Sequence, residues 1–168
     1  MPDKLTKAYN QILETAKEIM DVTKKEAEPA ILDAIDKAKE KVSEFSELTS
    51  EEMDKVSDYI VRDLHDAAEF IAEGEREIAD WLRLDMLYIE DSLLDSFSNM
   101  VDHTALALKE IRERAERANE WHTGEIAGVG TLICNACGEH IHFSKAGHIP
   151  PCPKCHATIY SRPDSASN

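Results

Sequence analysis

The chain has 168 residues and a formal net charge of −15, enough for one moderate domain with an appendage. The charge is uneven, with 31 acidic and 16 basic side chains in residues 1–120 and three of each in residues 121–168. There is no run of 18 apolar residues to cross a bilayer, and the acid excess argues against unassisted binding to phosphate backbones.

From Asp3 to about Trp121 the only glycine is Gly74 and the only proline Pro29, and the rest reads as helix. Leu5, Tyr9, Ile12, Ala16 and Ile19 recur at three- and four-residue steps and define a first amphipathic helix. Pro29 either kinks it or opens a new helix, and Ile31, Ile35, Ala38, Val42 and Phe45 continue the apolar stripe. A fresh start follows at Thr49-Ser50-Glu51-Glu52. In this capping box the Thr49 and Glu52 side chains satisfy each other's backbone amides. Met53, Val56, Ile60, Leu64, Ala67 and Ile71 form the inner face of that helix, and Gly74 marks a turn or bend after it.

The third helical stretch carries Leu87, Leu94, Val101, Leu108 and Ala115 seven residues apart, with Phe97, Thr104, Ile111 and Ala118 as the complementary row. This is a heptad seam of the kind that packs as a coiled coil. Unbroken from Glu75 to Glu120, it would extend about 69 Å at roughly 1.5 Å per residue. Residues 81–101 hold more apolar side chains than one seam requires. Either this helix is sandwiched between two others, or it exposes a face for self-association or a partner, and a homodimer through the third helix is expected. The fold class is mainly α: an elongated helical bundle or coiled coil with a small C-terminal β module, whose cysteines come next.

The four cysteines all lie near the C-terminus, as two Cys-x-x-Cys pairs: Cys134 with Cys137, and Cys152 with Cys155. Pairs at this spacing sit on tight turns and give four thiolates to one tetrahedral ion, so the expected cofactor is one structural Zn²⁺. Gly138 follows the first pair, where the chain favours φ > 0, and His156 takes the equivalent, less comfortable place after the second. Strand-like alternation surrounds the turns at 131–133, 140–143 and 158–160. His142, His148 and His156 could compete for the metal, but four thiolates already complete the tetrahedron. Two disulfides would require an oxidising compartment, and no apolar secretory segment precedes the helices, so a cytoplasmic location is expected.

The divisions expected are an acidic helical domain over 1–121, a glycine-containing joint over 122–130, a ribbon over 131–162 and a disordered tail over 163–168. The joint follows a helix rather than a strand, so it is not read as a nucleotide cradle. A ribbon of this size needs the metal to fold, whereas the helical stripes can pair without it. Loss of Cys137 is therefore expected to unfold the ribbon and leave the helices largely intact.

No phosphate-binding loop, nucleophile elbow or His-Glu-x-x-His run is present, and the helices contain no Glu-x-x-His pair, so no enzyme is expected and no catalytic residue is assigned. His65-Asp66 and Asp102-His103 are sequence neighbours on different helix faces, and the surface is their expected place.

The segment from His122 through Gly124, Gly128 and Gly130 to Cys134 resembles the junction of an uncharacterised bacterial family of zinc-ribbon-containing proteins. The similarity spans nearly the whole chain, including the Glu47-Leu48-Thr49 helix entry, and is most specific in the joint and the cysteines. It implies an acidic helical region joined to one four-cysteine ribbon, with Cys134, Cys137, Cys152 and Cys155 as the ligands. The family brings no established activity. The expected function is a non-enzymatic zinc-binding interaction or scaffold protein whose helices dock to protein partners. A regulator of the transcription or translation machinery is the alternative, by architectural analogy with DksA-type factors and with 45–49 as the helical tip. A thiol or zinc redox sensor is another.

Only Lys145, Lys154 and Arg162 are basic in the ribbon, beside an acidic body. Binding to duplex DNA or RNA should therefore be no tighter than ordinary non-specific association. A dissociation constant below about 1 μM at physiological salt, in a titration of the purified protein, would contradict this.

Overall fold

The structure is a computed structural model, and it describes residues 3–23, 31–72, 78–83, 87, 89–106 and 120–163. Five helices come first: α1 (Lys4–Thr23), α2 (Ile31–Ser43), α3 (Ser50–Ala72), α4 (Ile78–Leu82) and α5 (Asp91–Leu106). Six short strands follow: β1 (Trp121–His122), β2 (Ile126–Ala127), β3 (Gly130–Cys134), β4 (His140–Phe143), β5 (Gly147–His148) and β6 (Ile159–Ser161). The chain is thus mainly helical with a small C-terminal β region. Pro29, Gly74 and the 164–168 part of the expected tail lie outside the described residues.

Each of the first three helices carries an apolar stripe, and side-chain caps start α1 and α3. Asp3 accepts a bond from the Thr6 amide at 3.0 Å through its carboxylate at the head of α1. The expected capping box opens α3, with the Glu52 amide donating to Thr49 Oγ1 at 3.1 Å and the Thr49 amide to Glu52 Oε2 at 2.8 Å. Tyr9, Ile12 and Ala16 of α1, Ile31, Ile35 and Ala38 of α2, and Val56, Ile60 and Leu64 of α3 all face one core.

The third helical stretch differs from its expectation. Among the described residues it is two helices, α4 and α5, and Arg83 between them takes a left-handed φ of 49°. Packing explains the break. Trp81 and Phe97 stack at 5.5 Å between ring centroids, and the Trp81 indole donates to Asp66 at 2.8 Å. A straight rod would carry these rings apart; folding the chain between them buries both. Leu87, the first residue of the expected seam, is 91% exposed. Leu108, Ile111, Ala115 and Ala118 lie outside the described residues. Among the described residues of 81–101, Trp81, Leu82, Ile89, Phe97, Met100 and Val101 are buried in the chain's own core.

The β region has two layers of pairing. The larger sheet runs β1-β6-β3-β4, every pairing antiparallel, and β2 pairs separately with β5. The three strand segments expected from alternation are present, the last shifted to Ile159–Ser161. Within the 122–130 joint lies β2, and Ile126, Ala127 and Val129 are buried. Ile126, Val129 and Ala146 belong to the same apolar cluster as the helices, so the ribbon is docked on the helical body.

At Gly128 the β region lies directly against the helical half. A Cβ built there would lie 2.5 Å from the Tyr9 hydroxyl and 3.4 Å from an Asp63 carboxylate oxygen. Gly128→Ala should therefore cost about 1–3 kcal/mol by overpacking. A thermal melt of the zinc-loaded protein showing an unchanged midpoint would contradict this contact.

Candidate metal centre

The two cysteine turns are built alike, hydrogen bond for hydrogen bond. The Gly138 amide donates to the Cys134 carbonyl at 2.9 Å, and the His156 amide to the Cys152 carbonyl at 2.9 Å. The Cys134 amide donates to Glu139 O at 2.8 Å, and the Cys152 amide to Ala157 O at 2.9 Å. Both exits use the left-handed region: Gly138 at φ 81° and His156 at φ 65°. The discomfort expected at His156 is therefore present as backbone strain, which glycine avoids in the first turn.

The turns bring all four sulfurs within 4.8 Å of one another, with 3.6 Å between Cys134 and Cys155 and between Cys137 and Cys152. Four ligands held tetrahedrally at about 2.3 Å from a zinc ion are separated by roughly 3.8 Å, so the quartet fits one Zn²⁺ with no open position. Cys134 and Cys152 are buried, and Cys137 and Cys155 lie on the exposed side. Backbone amides support thiolates here. The amides of Cys137 and Ala136 hold the Cys134 thiol below its ordinary value. Burial opposes ionisation of Cys152, but the amides of Cys155 and Lys154 and the neighbouring sulfurs outweigh it and bring that thiol down to about 6. The ion supplies the positive charge that lets all four thiolates coexist, and it closes the ribbon.

Two of the three histidines considered as competing ligands have other partners, and none joins the cysteine group. His142 Nδ1 lies 2.8 Å from Thr131 Oγ1, His148 pairs with Asp3 at the start of α1, and His156 occupies the strained turn exit. Among the described residues the four cysteines are the only group of three or more His, Cys, Asp or Glu side chains placed to hold a metal.

Behind the metal site lies a second constellation that sequence reading did not find. The carboxylate of Asp63, on α3, is fully buried and has four donors. One oxygen receives the Tyr9 hydroxyl at 2.6 Å and the Gly128 amide at 2.9 Å; the other receives the Trp121 indole at 2.7 Å and Arg162 Nη2 at 3.3 Å. Arg62 adds its charge at 3.5 Å and ties α3 to the β region, donating to Glu125 at 2.9 Å and to the carbonyls of Glu120 and Ile126 at 3.2 Å and 2.9 Å. The two guanidiniums flank Trp121, at 4.8 Å for Arg62 and 5.5 Å for Arg162. Burial alone would raise the Asp63 carboxyl; the two arginines and the bonds from Tyr9 and Trp121 outweigh it and hold the group below the usual carboxylate value.

Two expectations change with this joint. Arg162, one of the three ribbon cations counted for nucleic acid, is 5% exposed and committed to Asp63. Asp66 is not a surface residue of the adjacent His65-Asp66 pair: it accepts the Trp81 bond, and burial raises its carboxyl to about 6. The sequence held one signal for the joint. Asp63 lies three residues after Ile60 and four before Ala67, which puts a charge on the buried stripe of α3.

This geometry agrees with the comparisons. The chain matches the family described as a zinc-ribbon containing domain over residues 4–164, and it belongs to that family. Its relatives include proteins called "Uncharacterized protein YbeL" from Escherichia coli strains K12 and O157:H7. Each is 30% identical over 130 residues, covering 77% of this chain and 80% of the relative. No solved structure matches.

The matched turns give a paired prediction. His156→Gly should stabilise the ribbon by about 1 kcal/mol, and Gly138→Ala should destabilise it by about 1–2 kcal/mol. Titrating each variant with a zinc chelator reads this directly: His156→Gly should need more chelator than the parent and Gly138→Ala less. The reverse order would show that the exits are not strained as described.

Proposed function

We propose that this protein is a non-enzymatic interaction protein: a zinc-stiffened scaffold whose acidic helical faces dock to basic surfaces of other proteins. The observation that carries this reading is the placement of charge. Arg62 and Arg162 are both drawn into the buried joint, while the outer faces of α1, α2 and α3 carry exposed carboxylates such as Glu14, Glu18, Glu40, Glu51 and Asp54. At the turn between α2 and α3, Phe45 is 86% exposed beside the exposed Glu44, pairing an apolar anchor with negative charge. A homodimer through the third helix stays part of this proposal, with Leu87 exposed although Trp81, Leu82, Ile89, Phe97, Met100 and Val101 are buried in the chain's own core. A cytoplasmic location belongs to this proposal. No helix among the described residues is long and apolar enough to cross a membrane.

The exposed α2–α3 turn also favours the regulatory reading, in which this tip enters a cleft of the transcription or translation machinery. Both readings use one surface and differ in the partner. Tagged protein cross-linked in its native cells, compared with Phe45→Ser and Glu44→Lys, tests both. The expected outcome is a discrete set of protein partners that both substitutions deplete about tenfold or more, the scale of a hot-spot contact. RNA polymerase or ribosomal proteins in that set would select the regulatory reading. A partner set indifferent to both substitutions would remove the tip from the interaction surface.

A further inference from the structure

The strands that carry the cysteines also carry the residues that close on Asp63. Cys134 of β3 and Trp121 of β1 both face Tyr160 of β6 in register, and Arg162 follows two residues after Tyr160. Cys134, Cys152, Trp121 and Tyr160 share the inner cluster of the ribbon. The Tyr160 hydroxyl donates to Pro150 O at 2.8 Å, just ahead of the second cysteine turn. One packed layer thus has the thiol quartet on one side and the Asp63 carboxylate on the other.

We propose that metal occupancy of the quartet and docking of the ribbon on α1 and α3 are a single coupled event, with the Asp63 joint as the coupling element. The ribbon is too small to hold β3 and β6 in register by apolar burial alone. When that register is lost, the Trp121 indole and Arg162 leave Asp63, and a dry carboxylate keeps only Tyr9, the Gly128 amide and the offset Arg62. An unpaired buried charge is strongly unfavourable, so water enters between α1 and α3 and their packing relaxes. The metal state of the cysteines is thereby written into the helical faces. This stands against the expectation of helices that stay largely intact without the ribbon, and the experiment below decides between them. Coupling between binding events is reciprocal, so the helical half also sets the metal affinity. Tyr9 makes that testable, because it lies on α1, contacts no cysteine, and binds Asp63 through one hydroxyl.

The experiment uses the full-length reduced protein. Zinc affinity is measured by competition with a chromogenic chelator for the parent, Tyr9→Phe, and Glu14→Gln as an exposed control on the same helix. Hydrogen exchange of the parent is followed with zinc and after stripping. Tyr9→Phe keeps the ring and removes one bond to a buried charge, so its zinc affinity should fall about tenfold, while Glu14→Gln should stay within about twofold. Stripping zinc should speed exchange in the Asp63-facing parts of α1 and α3 by about tenfold or more. Equal zinc affinity of Tyr9→Phe and the parent would overturn the proposal. So would an equal loss in Glu14→Gln, or unchanged exchange of α1 and α3 in the stripped protein.

Discussion

A single buried carboxylate organises this molecule. Removing a charged group from water is costly, and the cost is tolerable only when every lone-pair direction is filled and opposite charge is near. Asp63 meets that condition with donors from four places in the chain: α1, β1, the β2–β3 turn and the residue after β6. None of the four can move far without exposing the deficit. The helical body and the ribbon are therefore positioned by polar geometry, while the apolar cluster that also joins them adds adhesion with little directional preference.

The metal site and the joint solve related electrostatic problems. Four thiolates in one cluster repel one another, and the site manages this with amides aimed at sulfur and a divalent cation. The joint instead places two guanidiniums around one carboxylate and balances the remaining charge with Glu125. The aromatic rings between them, Trp121 and Tyr160, exclude water from both sites. A closed four-sulfur site with no open position is suited to holding structure, and its role here is to keep β3 and β6 in register for the joint.

Among the described residues charge is divided by depth: the two arginines of the joint are buried, and carboxylates such as Glu14, Glu18 and Glu40 are exposed on the helices. On the reading proposed above, a negatively charged helical surface is not what holds a phosphate backbone, since that requires exposed cations to displace counterions. It is well suited to a basic protein surface, where complementary charge steers encounter and an exposed aromatic such as Phe45 can anchor the contact.

What the sequence determined by itself was local. The Cys-x-x-Cys spacing defined the quartet because each turn is built from residues within five positions of each other, and the Thr49–Glu52 box started α3 for the same reason. The stripes of α1, α2 and α3 were legible because helical periodicity follows from backbone geometry. Tertiary structure decided the rest. The heptads promised a continuous third helix with no glycine or proline to stop it after Glu75, yet the chain turns at Arg83, because burying Trp81 against Phe97 and Asp66 outweighs continued helix. Asp63 was visible as a charge on an apolar stripe, but its partners Tyr9 and Arg162 lie 54 and 99 residues away. No local pattern encodes a contact at that separation; it exists only once the ribbon has closed and the helices have packed beneath it.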